Sequence, residues 1–154
     1  MFQKQKEIIL ALLKSDRDNK NYKRNYIFFY KDYLDPTDKF TDFSCENLEG
    51  KRGYIDLIEN LLKADETAKI FVQVYGLDED NSGEYIFANT LIIFSILPLL
   101  EIQRIFNVSK DIFPSDIGEK ADFSQDFVVD DSGNLLPIIN LFNSNYSAYY
   151  CWWD

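Results

Sequence analysis

At 154 residues, with 46% hydrophobic and 16% aromatic content, the chain has apolar mass for one packed core, and four prolines and six glycines leave little for linkers, so one domain over residues 1–154 is expected. There is no histidine, which excludes Ser-His-Asp and Cys-His catalysis and every imidazole metal site. The net charge of −10 is uneven: residues 1–34 carry eight basic and four acidic side chains, and residues 35–154 carry eight basic and 22 acidic ones.

The opening MFQKQKEIILALLKSD has too short an apolar run and no small-residue cleavage site for a secretory leader. Ile8, Ile9, Leu12 and Leu13 share one side of a helix there. Tyr22, Tyr26, Phe29, Tyr30 and Tyr33 recur at helical spacing, which predicts a second helix. The acid-rich stretch 35–53, with Pro36, Gly50 and Gly53, reads as a long connection. Tyr54, Leu57, Ile58, Leu61 and Leu62 then follow the 3.6-residue period, with Asp56, Glu59 and Lys63 on the outer face.

After this helix the period changes to two. Residues 69–75 (KIFVQVY) and 84–94 (EYIFANTLIIF) are rich in β-branched and aromatic residues and flank the turn cluster LDEDNSG, which predicts a hairpin. Residues 85–100 are the other apolar candidate for a membrane span, but Asn89, Thr90, Ser95 and Pro98 interrupt them, Glu84 and Glu101 bound them, and they fall short of the ~20 residues required. Pro98 suits the first turn of a short helix burying Ile102, Ile105 and Phe106 and ending near Asn107. A turn at Asp130-Asp131-Ser132-Gly133 separates strand 127–129 from 135–142, where Pro137 removes a ladder donor and so predicts an edge or a bulge. Residues 146–153 read as a closing strand. The expected fold is α+β: N-terminal helices packed on a mainly antiparallel sheet with one short inserted helix.

The chemistry-bearing motifs are few. No Walker loop, dinucleotide fingerprint or nucleophile elbow is present, and the chain is read as a non-enzyme without cofactor. Asp78, Asp80, Ser82 and Gly83 imitate the start of a calcium loop, but Asn89 stands where a bidentate Glu is needed and the flanks are strands, so the segment is read as a hairpin turn and no metal is expected. Cys45 and Cys151 have no C-x-x-C spacing and are read as reduced, buried thiols of a cytoplasmic protein. Lys20, Tyr22, Lys23, Arg24 and Tyr26 pair basic groups with rings, the composition that holds phosphates and stacks bases, yet the charge of the rest of the chain opposes direct nucleic-acid binding.

What remains is an acidic surface for a protein partner. Asp78, Glu79 and Asp80 form one candidate stretch, and Asp122, Asp126, Asp130 and Asp131 a second. Tyr149, Trp152 and Trp153 are candidate aromatic anchors beside them. Small, acidic, aromatic-rich chains of this kind resemble the immunity proteins of bacterial polymorphic and contact-dependent toxin systems, with ANTLIIF (88–94), FPSDIGE (113–119) and YYCWWD (149–154) as landmarks. The resemblance implies a cytosolic antidote that binds a cognate toxin domain, often a basic nuclease, and blocks its active site. Two other readings stay open: a small-molecule-binding or enzymatic α+β domain with a pocket lined by aromatic rings, and a nucleic-acid mimic inhibiting a DNA-binding enzyme.

Overall fold

The computed structural model describes residues 1–44, 50–140 and 145–154. In chain order the elements are α1 (Gln3–Asp18), β1 (Asn25–Phe29), α2 (Tyr30–Tyr33), β2 (Thr41–Phe43), α3 (Lys51–Ala64), β3 (Lys69–Asp80), β4 (Gly83–Ser95), α4 (Leu99–Phe106), β5 (Asp116–Glu119), β6 (Asp126–Val129), β7 (Leu135–Pro137), a 3-10 turn (Ile138–Asn140) and β8 (Ser147–Trp152). The strands form one sheet in the order β5-β8-β4-β3-β1-β6-β7, with β2 added beside β4. The fold is α+β with a mostly antiparallel sheet; β1–β6 and β2–β4 are its parallel pairs. Among the described residues no helix is long and apolar enough to cross a membrane.

Alternation along the strands sends side chains to two unequal cores. Tyr26, Phe28, Ile70, Val72, Leu91, Ile93, Tyr149 and Cys151 point to the face where α1, α3 and α4 pack with Ile9, Tyr54, Ile58, Leu61, Ile102 and Phe106. Ile27, Phe71, Ile92, Phe94, Val128 and Ala148 point to the other face, where Phe123, Ile138 and Tyr146 cover them. A strand buried on both faces reads as a continuous apolar run rather than an alternation. That is the condition of residues 26–28.

The predicted second helix is therefore replaced. Residues 25–29 are the strand β1, held by β3 on one side and β6 on the other, Tyr22 lies in the preceding loop, and only Tyr30–Tyr33 is helical. The spacing of the rings fits a helix, but Tyr26-Ile27-Phe28 needs cover on every side, which an amphipathic helix with one apolar stripe cannot give. The connection 35–53 is likewise shorter than expected, because β2 interrupts it and α3 starts at Lys51. Gly53 sits inside α3, where a Cβ would meet the Ile112 side chain at 2.9 Å.

The remaining elements follow their sequence signals. α3 buries Tyr54, Leu57, Ile58 and Leu61. α4 buries Ile102, Ile105 and Phe106, with Pro98 as its N-cap and Asn107 as its C-cap. β3 and β4 pair as the predicted hairpin, although the strands continue to Asp80 and Gly83, so the turn is only Asn81-Ser82. β7 ends the sheet at Pro137, and β8 lies between β4 and β5. Cys151 is buried, and its thiol is pushed up by burial; Cys45 and the end of the predicted strand 135–142 lie outside the described residues.

Two polar clamps hold the helical layer to the sheet. Lys51 is buried, and its ammonium donates to the carbonyls of Asp35 (2.8 Å) and Asp38 (2.5 Å) and to the Thr41 hydroxyl (2.6 Å). Asp65, just beyond α3, accepts from the Ser95 hydroxyl (2.6 Å), the Ile96 amide (3.1 Å) and the Thr67 hydroxyl (2.6 Å). Buried charges persist only when hydrogen-bonded in this way.

Candidate functional site

β3 outruns its neighbour. β1 reaches no further along it than Asn25, which precedes the Ile27–Gln73 pair, whereas the pairing of β3 with β4 continues to Asp80 and Gly83. Residues 78–85 thus project as a two-stranded ribbon carrying Asp78, Glu79, Asp80 and Glu84, the first three fully on the surface. Lys14 on α1 lies 2.8 Å from the carboxylate of Glu84, which pairs with Glu79 midway along the ribbon. At the tip, the Ser82 amide (2.7 Å) and hydroxyl donate to Asp80, and these bonds hold its carboxyl below the usual carboxylate range.

β2 places a further carboxylate beside the ribbon. Its parallel pairing sets Thr41 opposite Ile86, Asp42 opposite Phe87 and Phe43 opposite Ala88. Between β2, the ribbon and residues 153–154 lies a cavity of about 260 Å³ lined by Asp42, Asp78 and Asp154, the Tyr85 ring, Phe87 and Asn89. Among the described residues no lysine or arginine lines it. Partial burial raises the Tyr85 hydroxyl's pKa, and the neighbouring charges of Asp78, Asp80 and Asp42 raise it further. The Tyr85 hydroxyl faces Asp78 at 3.4 Å. At this size the cavity falls below the ~300 Å³ at which drug-sized ligand pockets begin, and suits one long side chain.

The other predicted residues are dispersed. The register places Asn25 opposite Asp126, and β6 runs antiparallel to β3 through β1, so Asp130 and Asp131, past the end of β6, lie at the opposite end of the sheet from Asp78–Asp80. Asp130 accepts from the amides of Ser132 (3.0 Å) and Asn134 (2.7 Å), and Asp122 from the Ser124 amide (2.9 Å), just as Asp42 and Asp78 accept from the Phe43 (2.9 Å) and Glu79 (2.8 Å) amides; position, not free valence, sets the two groups apart. Asp131 is exposed. Three candidates are not on the surface at all. Asp126 is buried, ion-paired to Lys120 at 3.1 Å and hydrogen-bonded by the Asn25 amide group at 2.8 Å. Tyr149 is buried and donates to the Leu97 carbonyl at 2.6 Å. Trp153 is buried against Phe43, Tyr54 and Phe106 and donates to the Ile112 carbonyl at 2.8 Å. Trp152, one residue earlier, points to the other face and is 38% exposed.

Asp42, Tyr85 and Asp154 are the site residues that sequence reasoning passes over. Asp42 lay in the acid-rich connection, and only its pairing with β4 brings it to Asp78. Among the described residues no group of three or more acidic or thiol side chains is arranged to hold a metal ion. Among the described residues the carboxylates whose acidity is moved, including Asp38, Asp65, Asp80 and Asp130, are moved toward the ionised form by hydrogen bonds from neighbouring donors. Comparisons of the chain with protein-family models, with curated proteins and with solved structures returned no match.

Proposed function

We propose that this chain is a cytosolic binding protein that docks a cation-rich protein surface, as an immunity protein does when it neutralises a basic, nuclease-type toxin domain. The carrying observation is the acid-walled cavity at the root of the β3–β4 ribbon, lined by Asp42, Asp78 and Asp154 and, among the described residues, by no cation. A guanidinium or ammonium entering it meets a negative wall and the Tyr85 ring, and the projecting Glu79 and Asp80 extend the negative field outward. Such a field speeds encounter and enforces partner choice more than it adds affinity.

The decisive experiment is co-expression with the product of the adjoining gene. Rescue of growth by the wild-type chain, and its loss with Asp42→Lys together with Asp78→Lys, is the expected result; an adjoining product that is harmless, or rescue indifferent to the double charge reversal, overturns the reading. For the purified pair, the association rate falls by about tenfold or more between low and physiological salt, as steering by an exposed field requires.

A further inference from the structure

The basic and aromatic residues that follow α1 converge on a second cavity. Tyr22, Arg24 and Tyr26 come to it from the loop and from β1, Arg17 from the end of α1, and Tyr75 and Phe87 from the hairpin, enclosing about 350 Å³. Tyr22 and Tyr75 are 71% and 72% exposed, so their ring faces are accessible to a ligand. Tyr75 lies at a register shift: Gln73 pairs with Thr90 and Val74 with Ala88, the pairing resumes at Gly76, and the unpaired residue sets its ring against Phe87, 5.2 Å between centroids. Bulges of this kind re-aim side chains beside functional sites.

The charges in the cleft are arranged to leave a cation available. Asp16, the acidic residue of the lining, accepts the Tyr26 hydroxyl at 2.6 Å. Among the described residues no carboxylate lies within ion-pairing distance of Arg24, whose guanidinium is positioned instead over the Phe127 ring, 5.6 Å from its centroid. Arg17 pairs with the exposed Asp18 at 3.4 Å.

We infer that this cleft binds a planar aromatic anion of nucleoside monophosphate type, the ring stacked on Tyr75 and the phosphate held by Arg24 and Arg17. Ring stacking and guanidinium–phosphate pairing are the two interactions its walls supply. A nucleic-acid strand is a different ligand. Its charges recur every few ångströms and would extend over the acidic remainder of a chain of net charge −10, whereas one phosphate senses only the charges within a Debye length of ~8 Å.

The test is a titration of the isotope-labelled full chain with AMP, UMP and ribose 5-phosphate, followed by backbone amide shifts. Both nucleotides are expected to move Arg17, Arg24 and residues 75–77, and AMP to bind about tenfold tighter than ribose 5-phosphate, the size of one base stacked on one ring. Tyr75→Ala erases that preference, while Arg24→Gln weakens nucleotide and sugar phosphate alike by about tenfold. Both side chains are on the surface, and unchanged far-ultraviolet spectra certify the fold of the variants. Absence of shifts at millimolar nucleotide, shifts confined to other regions, equal binding of AMP and ribose 5-phosphate, or an AMP preference that survives Tyr75→Ala overturns the inference. None of these outcomes bears on docking at the acidic cavity.

Discussion

The Lys120 ammonium lies 3.1 Å from the Asp126 carboxylate, in a pair whose acidic partner is 1% exposed. A carboxylate that counts toward the negative surface in the sequence is thereby neutralised inside the protein. Removing one member of a buried pair strands the other, so Asp126→Ala is expected to cost about 3 kcal/mol. Urea unfolding measures it, and a loss below 1 kcal/mol would contradict the pairing.

Adjacent tryptophans should behave oppositely. Trp153 fills the space between Phe43, Tyr54 and Phe106, and its truncation to alanine is expected to cost about 3–5 kcal/mol. Trp152→Ala, at a half-exposed position on the other face, is expected to cost under about 1.5 kcal/mol. Thermal or urea denaturation of the two variants checks the contrast.

Asp65 sets part of the acid stability. Burial alone would raise its pKa, but hydrogen bonds from Ser95, Thr67 and the Ile96 amide outweigh it and hold the carboxyl below its ordinary 3.8. A folded value below the unfolded one means that this contribution is complete above about pH 4 and disappears as pH falls through the folded value. Asp65→Asn should therefore be less stable than wild type at pH 7, with the gap closing near pH 2; a constant gap in urea midpoints would refute the assignment.

Alkaline pH works through Tyr33. Burial, then the charge of Asp42, pushes its hydroxyl well above 10.0, although its bond to the Asp42 carbonyl at 2.7 Å pulls the other way. The unfolded chain releases that proton near pH 10 while the folded chain keeps it, so the contribution is full below pH 10 and is lost above it. Buried Lys51, whose pKa burial lowers from 10.5, acts in the opposite sense and gains as pH climbs toward that value. Tyr26, Tyr30 and Tyr150 join Tyr33 in being raised, so the tyrosines outweigh the single lysine. Stability should fall between pH 9 and 11, and Tyr33→Phe should flatten the fall while lowering stability at neutral pH by about 1–2 kcal/mol.

Packing leaves no space above Gly118. A Cβ there would come within 2.8 Å of the Tyr150 ring, whose hydroxyl donates to Asp116 at 2.6 Å. Gly118→Ala is expected to displace that ring and cost about 1–3 kcal/mol. Tyrosine fluorescence together with urea unfolding reads both effects.

Elements with one dry face were legible in the chain. Tyr54 to Leu62 and Ile102 to Phe106 repeat with helical period because one side of each helix meets the sheet, and the turn chemistry of residues 81–83 and 130–133 marks two hairpins. Residues 26–28 were misleading for a definable reason. Burial on both faces erases the alternation that identifies a strand, and the tyrosines around it happen to fall at helical intervals. β2 and β5, three and four residues long, carry too few positions for any period.

The net charge and the want of histidine are properties of composition and hold in any fold, so imidazole chemistry is excluded whatever the topology. Which carboxylates act together is a property of register. Asp42 reaches Asp78 only through a parallel pairing between segments more than 40 residues apart, and the direction of β6 carries Asp130 and Asp131 to the far end of the sheet. Local sequence sets the period of a segment and its exposed side; only the closed tertiary packing, where every strand must find neighbours for its backbone and cover for both faces, decides which acids share a cavity and which are locked inside.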